Sequence, residues 1–191
     1  MDSVIHVAPA IHVTPLSRLS ETLRRSQADH LVTMRSPGRD VPEAALPAGR
    51  PRHVLELVFH DIAEPRPGLV APAESDVAAL LDFACRRAGR GPLAINCYAG
   101  ISRSPAAAFI VAAMAWPGRD EAELAAALRR RAPAATPNPR LVALADALLG
   151  RGGRMVAAIR AIGRGADAFE GEPFALPLPA LHQPPGLWRT G

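Results

Sequence analysis

Residues 93–105, LAINCYAGISRSP, constrain the fold more than any other stretch of the chain. Leu93, Ala94 and Ile95 form a short apolar run of the kind a buried strand carries. Ser104 and Pro105 open a helix, with Pro in the first turn, where its missing N–H costs nothing. Few residues separate the two, so the strand hands the chain almost directly to a helix N-terminus. Gly100 permits a left-handed turn inside that connection. In such a loop successive backbone N–H groups can converge into an anion-binding nest, and the helix dipole adds positive potential there.

The rest of the chain supplies partners for this unit. Strands are expected at 11–13, 30–34, 53–59 and 93–96. Ile5-His6-Val7 echoes Ile11-His12-Val13 but is too short to count as a repeat. Ser17 is a candidate N-cap for a helix that turns Leu19 and Leu23 inward. A Pro-rich loop follows Phe59, and Val77, Leu80, Leu81, Ala84 and Cys85 recur at helical spacing over about 74–87. After Ser104 the sequence is helical. One helix closes at Trp116-Pro117-Gly118, and Asp120 with Glu123 caps the next. Leu141, Leu144, Ala145, Leu148 and Leu149 mark a further helix, and Met155, Val156, Ile159 and Ile162 a last one. Strands first and helices later, alternating at the centre, predict an α/β fold: a short central sheet flanked by helices, with a C-terminal helical segment. One domain is expected over 1–170, followed by a Pro-rich tail over 171–191 that extends over the surface or frays.

Composition narrows the function classes. Arginine supplies all the strongly basic charge, lysine is absent, and the net charge is +4. That balance suits anionic substrates, but no basic stripe interleaved with aromatics marks a nucleic-acid groove. Two cysteines, Cys85 and Cys97, are too few for a disulfide framework. The first residues lack a signal-peptide pattern, and the apolar run at 106–116 is too short to cross a bilayer. A cytoplasmic protein with no membrane or nucleic-acid partner is expected. The six histidines show no metal-ligand spacing, and no Walker-type glycine loop is present, so no metal or cofactor is expected.

The chemistry sits in residues 96–104, NCYAGISRS. The nest, the dipole and Arg103 all favour the thiolate of Cys97, and a thiolate is a strong nucleophile. Arg103 offers a planar fork able to hold two phosphate oxygens. The Ser104 hydroxyl is placed to bond the sulfur. The segment resembles the Cys-x5-Arg-Ser/Thr signature of the protein tyrosine phosphatase superfamily, and more closely a dual-specificity-like bacterial member. The resemblance implies a phosphatase-like fold over about 11–150. It implies phosphate bound by Tyr98, Ala99, Gly100, Ile101, Ser102 and Arg103, and a phospho-cysteine intermediate on Cys97. The substrate implied is a phosphorylated protein, phosphotyrosine first and phosphoserine or phosphothreonine second, or a small phosphoester. The loop carries no lysine, which disfavours phosphoinositides. One position departs from the family pattern: Asn96 stands where His is common.

The resemblance also implies an Asp as general acid on a loop some thirty residues earlier. Asp61 fits, directly after the third strand; His60, Glu64 and Asp76 are the competitors. Cys85 reads either as a core residue or as a disulfide partner for Cys97. Arg129, Arg130 and Arg131 read as a solvated helix end. Two other functions share parts of this pattern. A rhodanese-like sulfurtransferase also places a cysteine in an anion-binding loop, but does not need Asp61. A pseudophosphatase would bind phosphoproteins without turnover, with Asn96 as the one feature in its favour.

Overall fold

The computed structural model describes residues 10–49, 51–87 and 91–178. The expectations for the first nine residues and the tail beyond Leu178 lie outside them. Among the described residues five strands form one sheet: β1 (Ala10–Pro15), β2 (His30–Arg35), β3 (His53–Val58), β4 (Leu93–Cys97) and β5 (Phe174–Pro177). Their order is β3-β2-β4-β1-β5. The first four are parallel, and β5 runs antiparallel to β1. Six α-helices among the described residues accompany them: α1 (Leu19–Ser26), α2 (Glu74–Arg86), α3 (Arg103–Ala115), α4 (Glu121–Arg131), α5 (Pro139–Leu148) and α6 (Arg154–Ile162).

Alternation along the strands divides the core in two. Val32, Ile95 and Cys97 point into the large cluster beneath α2–α6, with Phe59, Phe109 and Leu128. Leu31 and Ala94 point the other way, against Leu19 and Leu23 of α1. Helix α3 is buried on every side from Arg103 to Ala113. An all-round apolar helix is an interior helix, and its five alanines in this span let α2, α4 and α5 pack close around it. Truncating Phe109, fully buried here, to Ala would cost about 3–5 kcal/mol.

Charged groups lock the helical half together. Arg151 donates to the carbonyls of Ala113 (2.8 Å) and Pro117 (2.9 Å), at and beyond the C-terminal end of α3. Asp146 accepts from the N–H groups of Gly153, Met155 and Val156, and so caps α6 from another helix. Arg129 is not a solvated helix end. It donates to four carbonyls, those of Pro133, Ala135, Ile162 and Gly163. Arg130 and Arg131 are exposed, as a solvated end requires.

Two local expectations change. Ser17 does not cap α1, because residues Leu16–Arg18 wind into a 3-10 turn first; its hydroxyl donates to Glu170 (2.6 Å). The segment expected as a tail from Gly171 supplies β5. Its prolines are tolerated because β5 is an edge strand. No helix among the described residues is long and apolar enough to cross a membrane.

Candidate active site

Parallel strands deliver their outgoing loops to one end of a sheet, where α/β proteins bind ligands. Here the loops after β1, β2, β3 and β4 meet at that end. Cys97 is the last residue of β4, 3% exposed, and its Sγ lies 3.1 Å from Ser104 Oγ in the first turn of α3. The sulfur therefore faces the helix N-terminus.

The intervening loop is fixed through its carbonyls. Tyr98 C=O accepts from Leu16 N–H (3.0 Å), and Ala99 C=O from Gly171 N–H (2.8 Å). Ile101 C=O accepts from Thr136 N–H (2.8 Å), and Ser102 C=O from Ala106 (3.1 Å) and Asn138 (3.3 Å). In a trans peptide the C=O and the following N–H point in opposite directions. With these carbonyls held outward, the N–H groups of Ala99, Gly100, Ser102 and Arg103 turn inward. Among the described residues none of them donates to a protein acceptor. Gly100 adopts φ +71°, and a Cβ there would lie 2.9 Å from Pro15 N. The loop thus requires glycine for its conformation and for its packing.

Arg103 is 5% exposed. Its Nη1 donates to Phe59 C=O (3.1 Å) and Ser36 Oγ (3.3 Å), which fixes the guanidinium against the ends of β2 and β3. Its buried Nε has no hydrogen-bond partner. Asp61 stands at the mouth of the loop. Its Oδ1 accepts from Ser102 Oγ (2.7 Å) and Asn138 Nδ2 (2.8 Å), and Oδ2 lies 3.8 Å from Arg103 Nε. A cavity of about 470 Å³ opens beside Cys97 and Arg103, walled by Leu16, Met34, Val41 and Pro42. A larger hollow of about 570 Å³ lies around Asp120 and Arg154, beyond the C-terminal end of α3, with no cysteine, serine or histidine in its lining.

No protein-family model matches the sequence, and no curated protein does. Solved structures do match. The crystal structure of DUSP15 is 17% identical, with a TM-score of 0.53, covering 82% of this chain and 96% of that one. The Cydia pomonella PTP-2 phosphatase is 18% identical, with a TM-score of 0.55, covering 72% and 84%. Human DUSP28 is 21% identical, with a TM-score of 0.53, covering 74% and 88%. The fold is that of the dual-specificity phosphatases.

Within this phosphatase fold the competitors of Asp61 have other employment. His60 closes the base of the loop, donating its N–H to Val70 C=O (2.7 Å) and accepting Val70 N–H at Nδ1 (2.9 Å). Asp76 accepts Ala73 N–H (2.8 Å) at the start of α2, a helix-terminal contact. Glu64 is exposed further along the loop. Asn96 stands in register between Thr14 and Thr33. It is 1% exposed, and its Oδ1 and the Thr33 hydroxyl have no hydrogen-bond partner.

Cys85 is not near Cys97. Its Sγ lies 3.5 Å from Met114 Sδ. Met114 is ten residues along α3 from Ser104, about 15 Å at the helical rise. A disulfide needs Cα atoms within about 7 Å, so the pairing reading is set aside. Burial, and secondarily Asp82, pushes the Cys85 thiol above its ordinary value, as suits a core residue.

Asn138 was invisible as a site residue in the sequence. Its Oδ1 accepts from the N–H groups of Arg140 and Leu141 as N-cap of α5, while its Nδ2 holds Asp61. The only available signal was an Asn-Pro at a helix start, which is common and says nothing about a distant carboxylate. Among the described residues no group of three His, Cys, Asp or Glu is arranged to hold a metal.

Proposed function

We propose that this chain hydrolyses phosphomonoesters through a phospho-cysteine on Cys97. One observation carries the reading: a single loop gathers a cysteine backed by a hydroxyl (3.1 Å), inward N–H groups, a buried arginine and a carboxylate at its mouth. The phosphate oxygens bind to the loop N–H groups and Arg103. The Cys97 thiolate attacks phosphorus, and the bond to the leaving oxygen breaks. Protonated Asp61 gives that oxygen its proton. Water then attacks the phospho-cysteine, and the Asp61 carboxylate takes a proton from it. The P–S bond breaks, inorganic phosphate leaves, and Ser104 donates to the returning thiolate. Protons and electron pairs balance over the two steps.

Substrates are phosphotyrosine in proteins first, with phosphoserine or phosphothreonine as the alternative side chains. The uncharged side chains of Tyr98, Ala99, Ile101 and Ser102 support this over a highly charged head group. A free thiol nucleophile suits a reducing cytoplasm. The test is hydrolysis of para-nitrophenyl phosphate beside peptides of the three phosphoresidues. Cys97→Ser is expected to lower turnover by about four orders of magnitude or more while orthovanadate still binds. Near-normal turnover in that variant would rule out the covalent route. Sulfur transfer from thiosulfate in place of phosphatase activity would favour the rhodanese-like alternative.

A further inference from the structure

The chain from α6 to β5 passes behind the loop at residues 98–102. Along the way Gly165 N–H donates to Thr136 Oγ1 (3.0 Å) and Ala166 N–H to Pro133 C=O (2.9 Å). Glu170 Oε1 then accepts from Ser17 Oγ (2.6 Å), and Gly171 N–H donates to Ala99 C=O (2.8 Å). β5 follows at once and pairs with β1 from Phe174 opposite Val13 to Pro177 opposite Ala10. A Cβ at Gly171 would lie 2.9 Å from Gly100 O and 3.3 Å from Gly100 C. Gly100 is therefore enclosed on two sides. Pro15 of β1 occupies the space where its own side chain would be, and Gly171 abuts its carbonyl.

We propose that Gly171 is a positioning residue for phosphate binding, and that the β5 segment sets the geometry of the anion nest. This rests on the reading of residues 97–103 as a phosphate loop. Two consecutive peptide units depend on Gly171. Its N–H holds Ala99 C=O outward, so Gly100 N–H turns inward. Its bare Cα lets Gly100 C=O sit against it, which leaves Ile101 N–H free to turn inward. A rotation of either peptide would aim a carbonyl oxygen at the bound anion and withdraw a donor. The pairing of β5 with β1 and the Ser17–Glu170 hydrogen bond hold the segment in register against the loop.

The test compares orthovanadate affinity, by calorimetry, with thermal stability and with turnover of para-nitrophenyl phosphate. Gly171→Ala should weaken orthovanadate about tenfold and lower kcat/KM at least as much, at a temperature where the protein is fully folded. Glu170→Gln, which loosens the anchor, should weaken it about two- to threefold. Glu172→Gln, next to Gly171 but with its side chain in solvent, should leave it unchanged. A merely structural role would lower the melting temperature and leave the affinity of the folded protein alone. The proposal is overturned if folded Gly171→Ala binds orthovanadate within twofold of wild type, or if Glu172→Gln weakens binding as much. Should Gly171→Ala not fold, an unchanged affinity in Glu170→Gln overturns it. A wild type that binds orthovanadate but turns nothing over refutes the phosphatase reading, while the affinity comparison still decides the role of Gly171.

Discussion

Residues 98–102 are held by backbone, and residues 60–70 largely by side chains. In the first loop four carbonyls accept hydrogen bonds from Leu16, Gly171, Thr136, and Ala106 with Asn138, which come from different parts of the chain. Gly100 is packed against Pro15 with no space for a methyl group. In the second loop residues 63–70 are all exposed. His60 pairs with Val70 at its base, Arg140 donates to Pro72 beyond it, and Asp61 rests on Ser102 and Asn138. The contrast separates two duties. On the proposed reading, the fold as a whole fixes where the anion and the nucleophile would meet. The carboxylate is placed by two hydrogen bonds, one of them from the phosphate loop itself. Damage to the first loop should cost binding and turnover together, and damage to the second should cost turnover alone.

The largest effect expected after loss of the nucleophile is from Arg103→Lys, about a thousandfold in kcat/KM. Lysine brings the charge but not the fork, and it cannot span Phe59 C=O, Ser36 Oγ and an anion at once. Steady-state kinetics with para-nitrophenyl phosphate and orthovanadate inhibition check it. Both should worsen. A variant with near-normal kcat/KM would show that Arg103 is not the clamp.

Asp61→Asn should lower kcat about a hundredfold for substrates with poor leaving groups. It should do much less for para-nitrophenol, which departs without help. It should also flatten the limb of the pH–rate profile that belongs to the acid, and leave orthovanadate affinity near wild type. Equal losses for good and poor leaving groups would contradict the role. Asn138→Asp is the finer probe. Asp is as good an N-cap as Asn, so α5 keeps its cap. The donor that holds Asp61 becomes a second carboxylate, and like charges repel. We expect kcat for poor leaving groups to fall about tenfold with little change in melting temperature.

What the sequence disclosed follows the same division. Cys97, Gly100, Arg103 and Ser104 were legible because they share one short segment whose spacing already implies strand, turn and helix. Asp61 was legible because it directly follows the apolar strand ending at Phe59. The supports were not. Thr136, Asn138 and Gly171 reach the loop from 35 to 72 residues beyond their partners in Ala99–Ser102, through backbone groups that any residue carries. Phe174–Pro177 hid as a strand because four residues, the last a proline and the first preceded by one, have no readable period. Arg129 looked solvated because its neighbours are, and only the meeting of α4 with the end of α6 supplied carbonyls for it.

The smallest effect expected is at the border of the second loop. Arg35 donates to Glu56 across β2 and β3 (2.6 and 3.2 Å), beside the wall of the cavity. That hydrogen bond holds the Glu56 carboxyl below its ordinary value, opposed by burial and aided in smaller measure by the guanidinium charge. A carboxylate with a lowered folded-state pKa adds stability above its unfolded pKa and loses it as pH falls through the folded value. The contribution should therefore be complete at neutral pH and fade below about 4.5. The Glu56 side chain is 44% exposed, so solvent screens the pair and the effect sits at the low end for surface ion pairs. Glu56→Gln should lower the melting temperature by about 1–2 °C at pH 7. That difference should shrink toward zero near pH 3 and should narrow in high salt. Because Arg35 borders the cavity without touching Cys97, Asp61 or Arg103, kcat should not move. A change in kcat with melting temperature unchanged would mean that the wall formed by Arg35 takes part in the chemistry, and that the division between a rigid phosphate loop and a lightly held acid loop leaves out a third element.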